Sequence, residues 1–174
     1  MKRGYDIIGL PVICIEEGCK NLEIKDILYD RTAMIAVSFM LQEAGYFREQ
    51  KIINLQNIKS IGSDAVVIQN KSVIEESQHQ DHIQSYQNLI GIDVISNQGQ
   101  NIGIVQDILF DIHTGRLSGL ILSEGLFHDL VEGRSILPLI GNFNVDNKTI
   151  IITNSEEQSI LSNTGGLKRL FSLE

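Results

Sequence analysis

The chain has 174 residues, of which 43% are hydrophobic and 6% aromatic, with no Trp and a formal net charge of −8. That apolar share is enough for a core and excludes a disordered chain, and its bias toward Ile, Leu and Val favours strands. The charge is uneven, −2 over residues 1–80 and −6 over residues 81–174. An acidic chain is repelled by a phosphate backbone unless a basic stripe overrides the mean. The one compact basic spot with apolar neighbours, Lys168-Arg169, is too small for that, so direct nucleic-acid binding is not expected.

At the N-terminus, the apolar stretch Ile7 to Ile15 is broken by Gly9 and Pro11 and followed by Glu16-Glu17. A secretory signal needs a longer apolar region and a small-residue cleavage site, and no run approaches the roughly 18–20 apolar residues of a membrane span. A soluble, cytoplasmic protein is expected. Cys14 and Cys19 are the only cysteines, too few for a four-ligand zinc site without His79 and His82. They read as two reduced thiols, Cys14 half-buried on a strand and Cys19 near a turn.

Further along, the sequence repeats itself. Asp26-Ile27-Leu28-Tyr29-Asp30 recurs as Asp107-Ile108-Leu109-Phe110-Asp111, and Ile8 to Ile13 matches Ile90 to Ile95. Gly45-Tyr46-Phe47 aligns with Gly125-Leu126-Phe127, and Asp64 to Ile68 resembles Asp146 with Thr149 to Ile152. The offset stays near 81 throughout, the mark of a duplication. Between the copies, Glu75 to Ser85 has almost no apolar content and reads as a solvated linker or edge helix.

Each copy reads as short strands divided by turn signals. In the second, Leu89–Ile95 and Ile102–Ile112 are separated by Asn97 to Asn101. Ile102, Ile104, Ile108, Phe110 and Ile112 alternate along one face, with Gln106 the polar exception. Asp111 to Gly115 supplies a hairpin turn, and Leu117–Leu122 returns as a strand with Gly119 at a bend or close approach. Closing so small a sheet into a barrel removes its exposed edges. After Thr153, Ser155-Glu156-Glu157-Gln158 fits a capping box, predicting a short helix over 156–162 that stops at Asn163 to Gly166. In the tail, Leu167, Leu170 and Phe171 share one helical face.

From Gly103 through Val105, Asp107, Asp111, Gly115 and Gly119 to Leu120, the second copy resembles the PRC-barrel family. The resemblance covers residues 5–74 and 87–154. The first copy departs from the pattern, with Leu22, Ala33 and Ala36 where the family has glycines, so Thr32-Ala33 is expected to turn differently from Thr114-Gly115. The resemblance implies an all-β chain of two tandem small barrels with a short C-terminal helix. The domains are then 1–76, a polar linker 77–86, 87–154 and a helical tail 155–174. It implies a non-catalytic adaptor that binds another protein, with a link to bacterial sporulation. The alternatives are a ribosome-associated factor that binds a ribosomal protein, and a small-ligand binder or enzyme in a groove between the barrels.

No catalytic residue, cofactor or metal is expected. Asp26/Asp30 and Asp107/Asp111 stand about 13 Å apart within each pair if both lie on one strand face. That is wider than the roughly 5–10 Å of a glycosidase pair, so they read as turn-forming or backbone-capping residues. Tyr46 and Phe47, and equally Leu126 and Phe127, put large apolar groups where a connection is expected. They either plug a barrel end or anchor a partner. Leu170 and Phe171 of the tail either dock on the second barrel or engage a partner or a membrane surface. A patch on each copy is also consistent with homo-oligomers.

Overall fold

The computed structural model describes residues 1–16, 22–43, 46–77, 80–131, 133–140, 145–146 and 149–162, with Glu43, 46–50 and 145–146 described by their backbone alone. It is all-β with short helices. The strands are β1 (Lys2–Arg3), β2 (Val12–Cys14), β3 (Leu22–Asp30), β4 (Ile35–Glu43), β5 (Tyr46–Asn54), β6 (Ile58–Ile61), β7 (Val66–Ile68), β8 (Ile74–Glu76) and β9 (Ile83–Ser85). They continue as β10 (Asp93–Ser96), β11 (Asn101–Phe110), β12 (Leu117–Ser123), helix α1 (Leu126–Val131), β13 (Ser135–Pro138), β14 (Val145–Asp146), β15 (Thr149–Ile152) and helix α2 (Asn154–Gln158).

The chain forms two compact units. The first holds residues 1–87 together with 110–117, the tip of the β11–β12 hairpin; the second holds 88–109 and 118–174. In the first unit the strand order is β8-β5-β4-β3-β9, beside a sheet β2-β7-β6. Its core is Ile7, Val12, Ile24, Ile27, Tyr29, Phe39, Ile53, Val66, Ile68 and, from the hairpin tip, Phe110 and Leu117. In the second unit the order is β13-β12-β11-β10-β15-β14, an open path among the described residues. Leu89, Val94, Val105, Ile108, Leu120, Leu122, Leu137, Ile150 and Ile152 are fully buried there.

The repeat in sequence is a repeat in pairing. Val12–Cys14 runs parallel to Val66–Ile68, and Asp93–Ser96 runs parallel to Thr149–Ile152. Gly9 N–H donates to Ile24 O and Ile24 N–H to Leu10 O; Gly91 N–H donates to Val105 O and Val105 N–H to Ile92 O. In each sheet the last strand also returns antiparallel to its predecessor, β7 on β6 and β15 on β14.

Several expectations are corrected. The inward face of β11 does not begin with Ile102 and Ile104: Gly103, Val105 and Asp107 are buried, while Ile104 and Gln106 are exposed. Burial changes phase at the adjacent buried pair Asp107-Ile108 and then continues through Phe110. β3 does the same at Asp26-Ile27, next to a register shift between Ile24 and Asp26. An extra residue turns the strand over, as a bulge does, and Gln106 is outward rather than an exception. The stretch read as a solvated connection carries β9, whose Ser85, Gln84 and Ile83 pair with Leu28, Tyr29 and Asp30. Cys14 is buried and disulfide-bonded, not a reduced thiol; Cys19 lies outside the described residues. The capping box is two residues earlier than read: Thr153 is the cap and Glu156 its partner, over α2.

The first hairpin is not altered either. Asp30 Oδ1 accepts from Thr32 N–H at 2.8 Å and Ala33 N–H at 3.1 Å, as Asp111 Oδ1 accepts from His113 N–H at 2.9 Å and Thr114 N–H at 2.8 Å. Both threonine hydroxyls donate to the same oxygen. The left-handed position is four residues after each Asp, Met34 at φ 53° and Gly115 at φ 73°. The true counterpart of Gly115 is therefore Met34 rather than Ala33.

Candidate functional site

The four repeated aspartates are bound to the protein's own backbone. Asp26 Oδ1 accepts from Ile27 N–H at 2.7 Å and Asp107 Oδ1 from Ile108 N–H at 2.8 Å. This bonds the amide at the point where burial along the strand changes phase. Asp26 also accepts from the Ser85 hydroxyl. Burial pushes its carboxyl above the ordinary range, against the opposing pull of the Ser85 and Ile27 bonds. Asp30 is held below the ordinary range, first by the Thr32 hydroxyl and then by backbone N–H groups. Asp111 is held low first by the Thr114 N–H, then by the Thr114 hydroxyl and the His113 N–H. These are turn and bulge chemistry.

Where the two halves differ, the second carries a different kind of surface. After β12 the chain makes α1, whose N–H bonds include Asp129 to Gly125 O at 2.9 Å, with Gly133 N–H closing on Asp129 O at 3.1 Å. Its polar side chains are tied to the body of the unit. Asp129 Oδ1 accepts from Glu124 N–H at 3.2 Å and Asp129 Oδ2 from Arg134 Nε at 3.3 Å. Glu124 Oε1 accepts from the buried Ser135 hydroxyl at 2.8 Å, and Glu124 Oε2 stands 3.6 Å from His128 Nε2.

The apolar side of the helix faces outward. Leu126 is 92% exposed, Phe127 82% and Leu130 59%. Residues i, i+1 and i+4 lie on one side of a helix, so the three form a single ridge. A surface helix ordinarily buries that stripe; α1 leaves it in solvent. An outward apolar group held by an ordered polar foundation is what a docking surface requires.

The other residues singled out in sequence do not join this ridge. Tyr46 and Phe47 begin strand β5 rather than a connection, and their side chains lie outside the described residues. Leu170 and Phe171 lie outside them as well. Leu130 went unnoticed because Gly125 to His128 read as a loop; the spacing of Leu126, Phe127, Leu130 and Val131 is the helical signal that finds it. Among the described residues, no group of three metal-ligating side chains assembles, and no helix is long and apolar enough to cross a membrane.

Comparison with known proteins adds one finding. Residues 82–159 match the model of the PRC-barrel domain, a span that contains β10 to β15 and the α1 ridge. No curated protein matches the chain. Over residues 82–159 the chain is thus similar to a PRC-barrel domain.

Proposed function

We propose that, with a PRC-barrel domain at residues 82–159, the chain is a non-catalytic adaptor that binds another protein through the outward ridge of α1. The exposure of Leu126 and Phe127 over a bonded polar base carries this reading. Buried at a contact, large apolar and aromatic groups supply most of the energy of association. The repeated pairing of β2 with β7 and of β10 with β15 supports a second, diverged copy of the domain at the N-terminal end. The engagement of Asp26, Asp30, Asp107 and Asp111 with backbone amides supports a scaffold role rather than acid–base catalysis.

The test compares wild type with Leu126→Asp/Phe127→Asp, both immobilised and exposed to lysate of the native cell. Circular dichroism first checks that both are folded. The expected outcome is capture by wild type of a partner that the variant does not hold. Equal capture by the folded variant sinks the reading.

A further inference from the structure

We propose that the occupant of the Leu126-Phe127-Leu130 ridge is a second copy of this chain, related by a two-fold axis, so that the ridge of each copy enters a groove of the other. The proposal rests on the docking reading of that ridge and names its partner. A two-fold contact brings the same patch of both copies together, so the patch must carry its own complement. This one does. The ridge begins where a groove ends: Ile102 and Ile104 of β11, with Ser123 to Gly125 at the end of β12, line an open depression of about 360 Å³. Ile102 and Ile104 stand two apart on the outward side of the strand, and Ile104 is exposed there. Sites of roughly 300–1,000 Å³ hold whole small molecules, so the groove has room for one phenyl or isobutyl group.

Charge and area agree with that arrangement. Glu124 precedes α1 and Arg134 follows it, and each is more than a third exposed. When two copies of α1 lie antiparallel across a two-fold axis, Glu124 of each copy faces Arg134 of the other. Charges more than about 8 Å apart are largely screened at physiological salt, so these rim groups outweigh the net charge of −8 on each copy. A ridge made for a lipid surface is flanked by Lys and Arg. Among the described residues this one has the carboxylates of Glu124 and Asp129 beside it, and Arg134 is bonded to Asp129. One Phe buries about 150–250 Å², so three such side chains remove on the order of 500 Å² from each copy. Stable interfaces remove about 1,200–2,000 Å² in all; ridge and groove from both copies together reach the lower edge of that range, that of a reversible dimer.

Sedimentation equilibrium of the full chain, from low micromolar to submillimolar concentration, tests this with Phe127→Asp on the ridge and Ile104→Lys in the groove. Circular dichroism checks each fold. Wild type is expected to dimerise reversibly, and each variant alone to weaken the dimer by more than about tenfold. An equimolar mixture of the two variants is expected to restore it. One intact ridge then still meets one intact groove, and at the other contact the new carboxylate faces the new ammonium. Misfolding of either variant cannot produce that restoration. A wild type that stays monomeric overturns the proposal, as does a dimer that either variant leaves intact. So does a mixture as monomeric as its two components.

Should a variant not fold, isotope-filtered nuclear Overhauser spectra of half-labelled wild type decide, at a concentration where the dimer sediments. Contacts between the Phe127 ring of one copy and the Ile102 or Ile104 methyls of the other support the pairing, and their absence overturns it. A monomer that binds phosphatidylcholine vesicles through Phe127 also overturns it, because the cover is then lipid. The two readings fail separately. A monomeric wild type whose Leu126→Asp/Phe127→Asp variant loses capture ends the second-copy reading and leaves the docking reading. A ridge-dependent dimer whose folded Asp variant captures the same proteins from lysate leaves the pairing and ends the binding of a different protein through that ridge.

Discussion

The β3–β4 and β11–β12 hairpins use the same two aspartates in the same two ways, and then the chain diverges. After β4 it continues as the nine-residue strand β5; after β12 it makes a six-residue helix with its apolar side outward. What is repeated is the chemistry that turns strands, and what is not repeated is the surface offered to solvent. The turns also differ in tolerance. Met34 takes the left-handed position with its side chain in the core. Gly115 takes it where a Cβ would lie 2.3 Å from the Ala36 carbonyl oxygen, held there by Ala36 N–H donating to Gly115 O at 2.8 Å.

The largest expected effect comes from dividing the chain. A fragment ending at Gln87 keeps β1 to β9 but loses residues 110–117, which belong to the same unit. It loses Phe110 and Leu117, both buried, and the edge-to-face packing of Phe110 on Phe39 at 6.4 Å between centroids. Truncating one buried Phe already costs about 3–5 kcal/mol, a large part of a small domain's stability. The fragment is expected to lack a cooperative urea transition. A sharp transition with a native-like circular dichroism spectrum would show that the first half folds unaided.

Next is Gly115→Ala, which adds a clash with backbone to left-handed strain of roughly 1–2 kcal/mol. It is expected to lower stability by more than about 2 kcal/mol. Met34→Gly relieves the same strain but loses a buried side chain worth about 1.5–3 kcal/mol, for a smaller net loss. Urea midpoints at unchanged slope measure both. If Met34→Gly is the more damaging, the close approach at Gly115 is not what separates the turns.

This contrast also marks how far the sequence could be read. The two aspartates and the strands were legible because turn chemistry is local: a short acceptor side chain meets the amides just after it. Counting four residues from each Asp would also have paired Gly115 with Met34 instead of Ala33. The phase change at Asp107 was not legible, since a bulge leaves apolar residues on both sides of the count and Ile104 looks as fit for the core as Val105. The role of Ser85 was hidden for another reason. Its partner Asp26 is 59 residues away, and a polar stretch gives no sign of pairing with a distant strand. At the ridge, Leu126 and Phe127 were visible as unusual, but a helix with its apolar side outward reverses the pattern by which helices are found.

A smaller effect is expected at α2. Thr153 Oγ1 accepts from Glu156 N–H at 3.4 Å, while Glu156 Oε2 accepts from Thr153 N–H at 2.7 Å. Thr153→Ala removes one half of this exchange and is expected to cost about 1 kcal/mol. Ser155→Ala, at the position the sequence first suggested as the cap, should cost less. Thermal unfolding of both variants checks the order, and equal losses would mean that the Thr153 exchange contributes little.

The finest comparison lies within one strand, where Asp26 and Asp30 titrate in opposite senses. Asp30 is held low by Thr32 and Ala33, and Asp111 by Thr114 and His113. A carboxylate whose folded pKa is depressed contributes stability above its unfolded pKa and loses it as pH falls through the folded value. Asp26 is raised by burial, so the folded state keeps its proton longer than the unfolded chain does. Its contribution declines as pH rises from the ordinary carboxylate range through the raised value. Asp30→Asn should therefore lose more stability at about pH 7 than at about pH 4, where the wild-type carboxyl is already about half protonated in the unfolded chain. Asp26→Asn, whose amide oxygen can still accept from Ile27, should compare better with wild type at about pH 7 than at about pH 4. Urea midpoints at the two pH values read both differences. If both variants change in the same direction, the bulge aspartate is not desolvated in the folded protein, and the division of labour between bulge and turn falls with it.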